Sequence, residues 1–339
     1  MKLTTKKGRR IILSKNLLVE DAAGKMETLV DSLRNLSPAR VRSSSFDEPV
    51  SENDGQISSW IALHPSALDM FDKIMSDAEG KQIIMFLDYD GTLSQIIEDH
   101  DNAYVTDEMR EVLKEVALNF KTAIISGRDT DKVQSFVKLT GIYYAGSHGL
   151  DIKGPTNIDQ SDQEVMLQPA NDYLPMIDEV VNILKEKTRS VPGATVEHNK
   201  FCLTVHFRRV DEKGWTPLAE QVKSVLNDYP KLRMTEGRKV LELRPSIKWD
   251  KGKALEFLLN SFGIEESKDV LPVYIGDDRT DEDAFKVLRE RGQGLGIVVS
   301  ETPKETNASY SLRDPSQVKE FLKRLVKWKK QTLGEESDE

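Results

Sequence analysis

The chain has 339 residues, which is long enough for two domains with separate cores. Its formal net charge of −9 argues against a general nucleic-acid binder. Its single cysteine, Cys202, excludes an internal disulfide and favours a reducing compartment, so a cytoplasmic location is expected. No apolar run approaches the ~20 residues that cross a bilayer, so no membrane partner is expected.

Residues 1–57 are expected to form a disordered leader, because they combine mixed charge with few aromatic side chains. The basic string at residues 6–10 is compatible with a plastid or nuclear address, with a short nucleic-acid-binding patch or with a solvated tail. A helix over residues 66–75 is predicted next, from the helical spacing of its apolar side chains.

The string Asp88-Tyr89-Asp90-Gly91-Thr92 follows the apolar run Ile83–Leu87, which we interpret as a buried strand of a parallel sheet. Two carboxylates therefore stand at the carboxyl end of that strand, the edge at which open α/β sheets bind ligands. One of them can attack a substrate while its neighbour transfers the proton. Taken alone, the string is more typical of a solvated acidic turn, and only the rest of the chain favours chemistry.

A second apolar run, Lys121–Ile125, ends in Ser126-Gly127-Arg128. A small hydroxyl followed by glycine lets donors approach a bound oxyanion closely, although Ser-Gly is also a common turn. This string is weak evidence by itself, but it places a second polar cluster at the end of a predicted strand.

Strands and helices alternate from residue 82 to 150 and again from 248 to 328. Thr106 is predicted to cap one of the helices, and Gly141 is predicted to end the next. This alternation implies an α/β core with a parallel sheet and helices on both faces.

The segment 151–247 interrupts the pattern and is predicted to form a separate α/β cap. Apolar and polar side chains alternate around residues 201–208 and 241–244, as in strands with one packed face. Amphipathic helices around residues 176–187 and 218–229 can cover that face, which gives an open-faced sandwich. The other face is expected to expose Lys200, His206, Arg208, Glu242 and Arg244. A solvated face is the alternative, but clustered His and Arg favour recognition of phosphate and sugar hydroxyls.

Two more strings follow the predicted cap. Lys251 lies at the start of a predicted helix, where its charge either offsets a bound phosphate or lies in solvent. The apolar run Leu271–Ile275 leads into the acidic string at residues 276–283. That string is either the acidic first turn of a helix or part of an all-oxygen cation site, for which Mg²⁺ is the usual ion beside phosphate. The spacing of a Ca²⁺-binding loop is absent.

The ordered Asp-x-Asp-Gly-Thr, Ser-Gly-Arg, Lys-Gly and Gly-Asp-Asp strings resemble the four motifs of the haloacid dehalogenase superfamily of aspartyl-phosphate hydrolases. From about Trp60 to Trp328, the chain also resembles the plant trehalose-6-phosphate phosphatases. The segments that carry this second resemblance are Ser59–Trp60, His64–Leu68, Gly146–Gly149, Lys200–Arg208, Gly237–Glu242 and Gly276–Asp283. The resemblance implies a haloacid dehalogenase-like Rossmannoid core over residues 58–150 and 248–328, an α/β cap over 151–247 and a polar tail over 329–339.

The resemblance also implies an activity. It is a Mg²⁺-dependent hydrolysis of trehalose 6-phosphate to trehalose and phosphate, the final step of trehalose biosynthesis. Asp88 would be the nucleophile and Asp90 the acid and base, while Ser126 and Lys251 would hold the transferred phosphate. The implied metal-site residues are Asp88, Asp90, Asp277, Asp278 and Asp281. The implied substrate-binding residues are Arg128, His148, Glu197, Lys200, His206, Arg208, Glu242 and Arg244.

Two alternatives stay open at the level of sequence. A related sugar phosphatase or phosphomutase would share the core and a similar cap. A sugar-phosphate sensor would bind without turnover, although a sensor has no need of the proton shuttle that Asp90 offers.

Overall fold

The computed structural model describes residues 52–97, 102–155, 165–237, 239–264 and 267–335. The expected leader as far as residue 51 and the last four residues of the expected tail lie outside these ranges. Helices occupy residues 52–63 and 315–335, so ordered structure begins inside the expected leader and continues into the expected tail.

In chain order, the strands are β1 (Gln82–Leu87), β2 (Lys121–Ile125), β3 (Tyr143–Gly146), β4 (Asp151–Lys153), β5 (Met166–Leu167), β6 (Thr195–Asn199), β7 (Cys202–His206), β8 (Leu232–Gly237), β9 (Val240–Pro245), β10 (Val270–Gly276), β11 (Leu295–Val299) and β12 (Tyr310–Leu312). The α-helices are α1 (Glu52–Leu63), α2 (Phe71–Asp77), α3 (Asp107–Asn119), α4 (Thr130–Val137), α5 (Leu174–Thr188), α6 (Trp215–Leu226), α7 (Lys251–Ser261), α8 (Glu282–Arg291) and α9 (Pro315–Glu335).

The larger sheet has the strand order β12-β11-β10-β1-β2-β3-β4-β5. All its pairings from β12 to β3 are parallel, and β4 and β5 add an antiparallel edge. Leu87 at the end of β1 is in register with Ile275 on one side and Ile124 on the other. The polar strings that follow these three strands therefore begin at the same edge. The predicted α/β core with a mostly parallel sheet is confirmed.

Both faces of this sheet are covered, which explains why β1 is apolar at successive positions. Met85 and Leu87 lie in a core cluster with residues of α2, α3, α4 and α9. Ile84 and Phe86 lie in a second cluster with residues of α7 and α8. The β1 end is therefore held rigidly between two layers of helices.

Helix ends agree with the sequence only in part. The Thr106 side chain caps α3 by accepting a hydrogen bond from Met109 N at 3.1 Å, as predicted. The next helix, α4, ends at Val137 and not at Gly141, because Lys138 takes the left-handed conformation (φ 58°) and its N–H bonds to Gln134 O. The helix predicted over residues 66–75 begins only at Phe71.

The smaller sheet is antiparallel, in the order β6-β7-β9-β8. Helices α5 and α6 pack on its apolar face, where Leu203, Val205, Leu241 and Leu243 are buried, so the predicted open-faced sandwich is present. Its start differs from the expected residue 151, because β4 and β5 pair with β3 and extend the larger sheet. In the part of the chain that the structure describes, no helix is long and apolar enough to cross a membrane.

Candidate active site

Asp88 is the first residue after β1 and is buried, with 4% of its surface exposed. Its Oδ1 accepts a hydrogen bond from Lys251 Nζ at 2.6 Å. Lys251 begins α7, whose first turn is capped by the Asp250 carboxylate, and the ammonium also donates to Asp281 Oδ1 at 2.7 Å. The first residue of α7 therefore places its buried ammonium between the buried carboxylates of Asp88 and Asp281.

The charges in this group are unbalanced. Burial and the neighbouring Asp281 raise the pKa of Asp88 well above its usual value, and burial raises the pKa of Asp281 to about 6. Burial works against the charge of Lys251, but Asp281 and Asp88 together raise its pKa above the usual value. One ammonium therefore compensates several carboxylates incompletely, and a further cation would stabilise their charged forms.

Asp277 supplies that group with a third carboxylate. Ligand atoms of Asp88, Asp277 and Asp281 lie within 4.8 Å of one another, and all three residues are buried. A Cβ at Gly91 (φ +83°) would lie 2.3 Å from Asp277 Oδ2, so only glycine leaves room for this arrangement. Hard carboxylate oxygens are suitable ligands for a divalent cation, and the acidic cluster therefore fits a metal site.

The carboxylates of Asp281 and Asp278 are fixed by hydrogen bonds that they accept from nearby residues. Asp281 Oδ1 accepts from Tyr274 Oη at 2.7 Å, and its Oδ2 accepts from Asp278 N at 3.0 Å. Asp278 Oδ1 accepts from Thr280 N at 2.8 Å. Burial opposes ionisation of Asp278, but Lys251 and the Thr280 hydroxyl lower its pKa well below its usual range. These contacts fix the loop that carries Asp277.

Asp90 has a different environment from Asp88. Arg128 Nε and a terminal nitrogen of the same guanidinium each donate to its carboxylate at 2.7 Å. Arg128 is itself buried, and its guanidinium lies 5.5 Å from the Phe136 ring centre. Ser126 lies beneath this pair, where its Oγ accepts from Arg128 N at 3.1 Å. A bidentate pair of this kind fixes both the position and the orientation of Asp90.

The polar face of the smaller sheet lies over these residues. Glu197 on β6 accepts hydrogen bonds from His206 Nε2 at 2.9 Å and from Lys132 Nζ of α4 at 2.5 Å. Burial opposes ionisation of Glu197, but both partners lower its pKa well below the usual range. On β9, Glu242 Oε1 lies 3.1 Å from His148 Nε2 of the core.

The two sheets enclose a cleft of about 1160 Å³. Of the residues proposed from sequence, the cleft is lined by Asp88, Asp90, Arg128, His148, Glu197, His206, Arg208, Glu242, Arg244, Lys251, Asp277 and Asp278. Ser126 and Asp281 are buried just behind this lining.

Lys200 is placed elsewhere. It lies in the turn between β6 and β7, takes a left-handed φ of 56°, and pairs with the buried Asp151 at 3.0 Å. Asp151 also accepts hydrogen bonds from Thr130 and Gln168. The expected position of Lys200 on the exposed sheet face is therefore wrong, because a turn residue does not share the alternation of the strand that follows it.

Sequence reasoning missed three further residues. Lys132 lies in the first turn of α4, four residues after Arg128, and that place was a usable signal. Tyr274 lies inside an apolar strand, where an aromatic residue is ordinarily part of the core. Lys304 lines the cleft and its Nζ donates to the main-chain carbonyl of Asp277, but it lies in an irregular segment without a recognisable pattern.

A strand-end aspartate bound to a buried lysine, on a parallel sheet with an inserted cap, is the arrangement expected of a haloacid dehalogenase-like phosphatase. The fold agrees with that class. It resembles the structure of a haloacid dehalogenase-like hydrolase from Bacteroides thetaiotaomicron with a TM-score of 0.50 and 16% identity, over 72% of this chain and 100% of the other.

More specific matches define the family. The trehalose-phosphatase family model matches residues 86–316. "Probable trehalose-phosphate phosphatase C" of Arabidopsis thaliana is 83% identical over 318 residues, 94% of this chain and 99% of that relative. The C-terminal domain of C. albicans trehalose-6-phosphate phosphatase has a similar structure, with a TM-score of 0.64 and 26% identity over 75% of this chain and 96% of that one. The chain belongs to the trehalose-phosphatase family and is an enzyme.

Proposed function

We propose that this enzyme hydrolyses trehalose 6-phosphate to trehalose and inorganic phosphate through a phosphoaspartate at Asp88. Family membership supports the substrate. The observation that carries the chemistry is the buried Asp88–Lys251 contact of 2.6 Å at the floor of the cleft. A buried carboxylate that faces a cleft beside a fixed ammonium suits a nucleophile for an anionic phosphate.

The reaction has two stages. An Asp88 carboxylate oxygen attacks phosphorus and the bond to the sugar oxygen breaks, while Asp90 donates a proton to that leaving oxygen. Asp90 then takes a proton from a water molecule, whose oxygen attacks the phosphoaspartate and releases phosphate with Asp88 regenerated. Lys251 and Ser126 hold the phosphate oxygens during both stages. The bidentate Arg128 contact fixes Asp90 beside the cleft, and Asp90 must carry a proton in place of part of this contact to act as the acid of the first stage.

Mg²⁺ is the cation that we propose for the acidic cluster. It would be held by the carboxylates of Asp88 and Asp277 and the main-chain carbonyl of Asp90, while Asp278 and Asp281 orient these groups. When bound, a divalent cation lowers the repulsion between an anionic nucleophile and an anionic phosphate. The three buried carboxylates and the space left by Gly91 support this assignment.

The metal assignment predicts a change in stability as well as in activity. Phosphate release should stop in EDTA and return with Mg²⁺, whereas Ca²⁺ should restore it poorly, because Ca²⁺ does not require octahedral geometry. Mg²⁺ should also raise the Tm of the parent, since a ligand that binds only the folded state stabilises it. Asp277→Asn should remove that rise. Undiminished activity in excess chelator would contradict the assignment.

A substrate panel tests the proposed function. Phosphate release is measured with trehalose 6-phosphate, sucrose 6-phosphate, glucose 6-phosphate and p-nitrophenyl phosphate. The highest kcat/KM is expected with trehalose 6-phosphate, and Asp88→Asn should abolish release while the fold is retained. Asp72→Asn is the matched control, because Asp72 is an exposed aspartate on α2. A higher kcat/KM with another sugar phosphate would assign that compound as the substrate instead. Binding of a sugar phosphate without release of phosphate would indicate a sensor.

A further inference from the structure

The turn that follows β3 has an unusual backbone. Ser147, His148 and Gly149 are consecutive residues with φ values of 50°, 57° and 88°. Side chains other than glycine are strained in this left-handed region, so the surroundings must hold Ser147 and His148 there. Such strain is commonly found where a side chain has to be aimed at a functional site.

The main chain of the turn is bonded to the loop after β2. Ser147 N donates to Arg128 O at 2.7 Å, and His148 N donates to Ser126 O at 2.8 Å. Both acceptors belong to the segment that we propose to hold the phosphate and Asp90. The position of this turn and the position of that segment therefore depend on each other.

The turn is also bonded to the cap and to the segment ahead of α7. Ser147 Oγ donates to the main-chain carbonyl of Asn199 in the cap. Trp249 Nε1 donates to Gly149 O at 2.7 Å. A Cβ at Gly149 would lie 2.3 Å from Ala254 Cβ on α7, so the turn is packed directly against the helix that carries Lys251.

The His148 ring contacts the cap carboxylate Glu242. It is 4% exposed, and its Nε2 lies 3.1 Å from Glu242 Oε1. A Cβ at Gly127 would lie 3.0 Å from two atoms of this ring and 3.6 Å from Glu242 Oε1. The glycine of the Ser-Gly-Arg string therefore leaves the space in which His148 and Glu242 meet.

We propose that His148 is a positioning residue that receives Glu242 when the cap lies on the core, and so aligns this cap carboxylate with the Ser126–Arg128 loop. The inference rests on the proposed function, in which Ser126 holds the phosphate, and it takes Glu242, which lines the cleft, as the cap carboxylate that faces the sugar. His148 acts through both neighbours, because its side chain holds Glu242 and its main chain holds the loop. The left-handed backbone is what turns the ring from the end of β3 towards the cap.

Three variants separate this role from a structural one. His148→Gln retains a side-chain nitrogen that reaches about as far as Nε2, His148→Leu keeps bulk without a donor, and His148→Gly removes the ring but relieves the backbone strain. We measure kcat and KM with trehalose 6-phosphate and with p-nitrophenyl phosphate, together with Tm. The leucine and glycine variants should lose about 10-fold to 100-fold more kcat/KM on the sugar phosphate than on the small substrate, the effect of one charge-assisted hydrogen bond.

The glutamine variant should recover most of that loss. The glycine variant should have a Tm equal to or above that of the leucine variant, and its kcat/KM for the sugar phosphate should be reduced by the same factor. A glutamine variant as impaired as the leucine variant would overturn the proposal. The same holds if the losses of kcat/KM among the variants parallel their losses of Tm, or if kcat/KM falls equally with the two substrates.

A double-mutant cycle with Glu242→Gln completes the test. Because both residues act through one contact, the double variant with His148→Leu should be no worse than the more impaired single variant, within about threefold. Losses that multiply would show that the residues act independently, and would overturn the proposal. The cycle is measured with the sugar phosphate that the parent hydrolyses fastest. The substrate preference of the parent therefore tests the proposed substrate, and the cycle tests the role of His148 whichever sugar phosphate that is.

Discussion

Asp88 and Asp90 are two residues apart, yet their surroundings differ. Asp88 is buried and contacts the Lys251 ammonium, whereas Asp90 is 38% exposed at its side chain and contacts the Arg128 guanidinium. An environment of this kind separates the tasks of two carboxylates, because one is held for attack and the other is accessible for proton transfer. The different partners and exposures therefore allow the two carboxylates to have separate tasks.

Asp90→Asn tests that division at the level of one residue. Turnover should fall by roughly 10²–10⁴-fold, the usual contribution of general acid–base catalysis. Hydrolysis of the phosphoaspartate should slow because no base activates water, so rapid-quench labelling should detect phosphoenzyme. Asp131→Asn is the control, since the Asp131 side chain is 81% exposed and pairs with Lys153. Parent-like turnover in Asp90→Asn would refute the proton-transfer role.

At the scale of elements, the site depends on how strand ends and turns bring distant segments together. The register of β1 with β10 and β2 aligns the residues that follow these strands. The turn after β1 then passes next to the Asp277 carboxylate, and Gly91 is the residue at the closest approach. Gly91 has a left-handed φ, and its N–H bonds to Ser94 O at 2.9 Å. The turn therefore limits the space around the acidic cluster.

Gly91→Ala should displace Asp277, because the new methyl group would lie 2.3 Å from its Oδ2. Gly80→Ala is a matched control, since Gly80 also has a positive φ (+72°) but no atom within 4 Å of the added carbon. Both variants should lose on the order of 1–2 kcal/mol from left-handed strain. Only Gly91→Ala should need more Mg²⁺ for half-maximal activity. Equal metal requirements for the two variants would show that the close approach does not shape the metal site.

At the scale of the whole molecule, polar contacts join the cap to the core. Glu197 of the cap binds Lys132 of the core, Glu242 binds His148, and Lys200 binds the buried Asp151. Each contact pairs residues that are far apart in the sequence. Together they place the polar face of the smaller sheet over the sheet edge that carries Asp88.

The Glu197 contact predicts a pH dependence of stability. The folded-state pKa of Glu197 is lowered, so its contribution is complete above the unfolded-state pKa of about 4.3 and is lost as pH falls further, through the folded-state pKa. Glu197→Gln should lower the free energy of unfolding at pH 7 by roughly 1.5–3 kcal/mol, as for a hydrogen bond to a charged group.

Thermal unfolding of the parent and the variant from pH 7 to pH 3 measures this effect. The difference in Tm should be largest near neutral pH and should shrink below pH ~4.3, where Glu197 begins to be protonated in the unfolded state while the folded state still holds it charged. Glu186→Gln on α5 changes an exposed glutamate of the same domain and should leave Tm nearly unchanged at every pH. A Glu197→Gln difference that grows towards acid pH would have the wrong sign for this contact.

Much of the fold and site was predictable because it depends on short stretches of sequence. The β1 and β10 runs are apolar enough to identify buried strands, and the acidic strings that follow them identify the sheet edge. The Thr106 cap was predictable for the same reason, since it involves residues three positions apart. Helix ends such as Lys138 were not, because a non-glycine residue in the left-handed region carries no sequence signal.

The sequence by itself determined the type of core, the strand ends that carry Asp88, Ser126 and Asp277, and the chemistry that these groups can perform. The tertiary structure alone decided which groups meet: Arg128 with Asp90, His148 with Glu242, and Lys200 with Asp151 instead of the cleft. Periodicity specifies the face of an element on which a side chain lies, and that is a local property. The partner of a side chain depends on how separate elements pack. Arg128 and Asp90, 38 positions apart, meet because β1 and β2 are neighbours in the core sheet, whereas His148 and Glu242, 94 positions apart, meet only where the cap lies on the core.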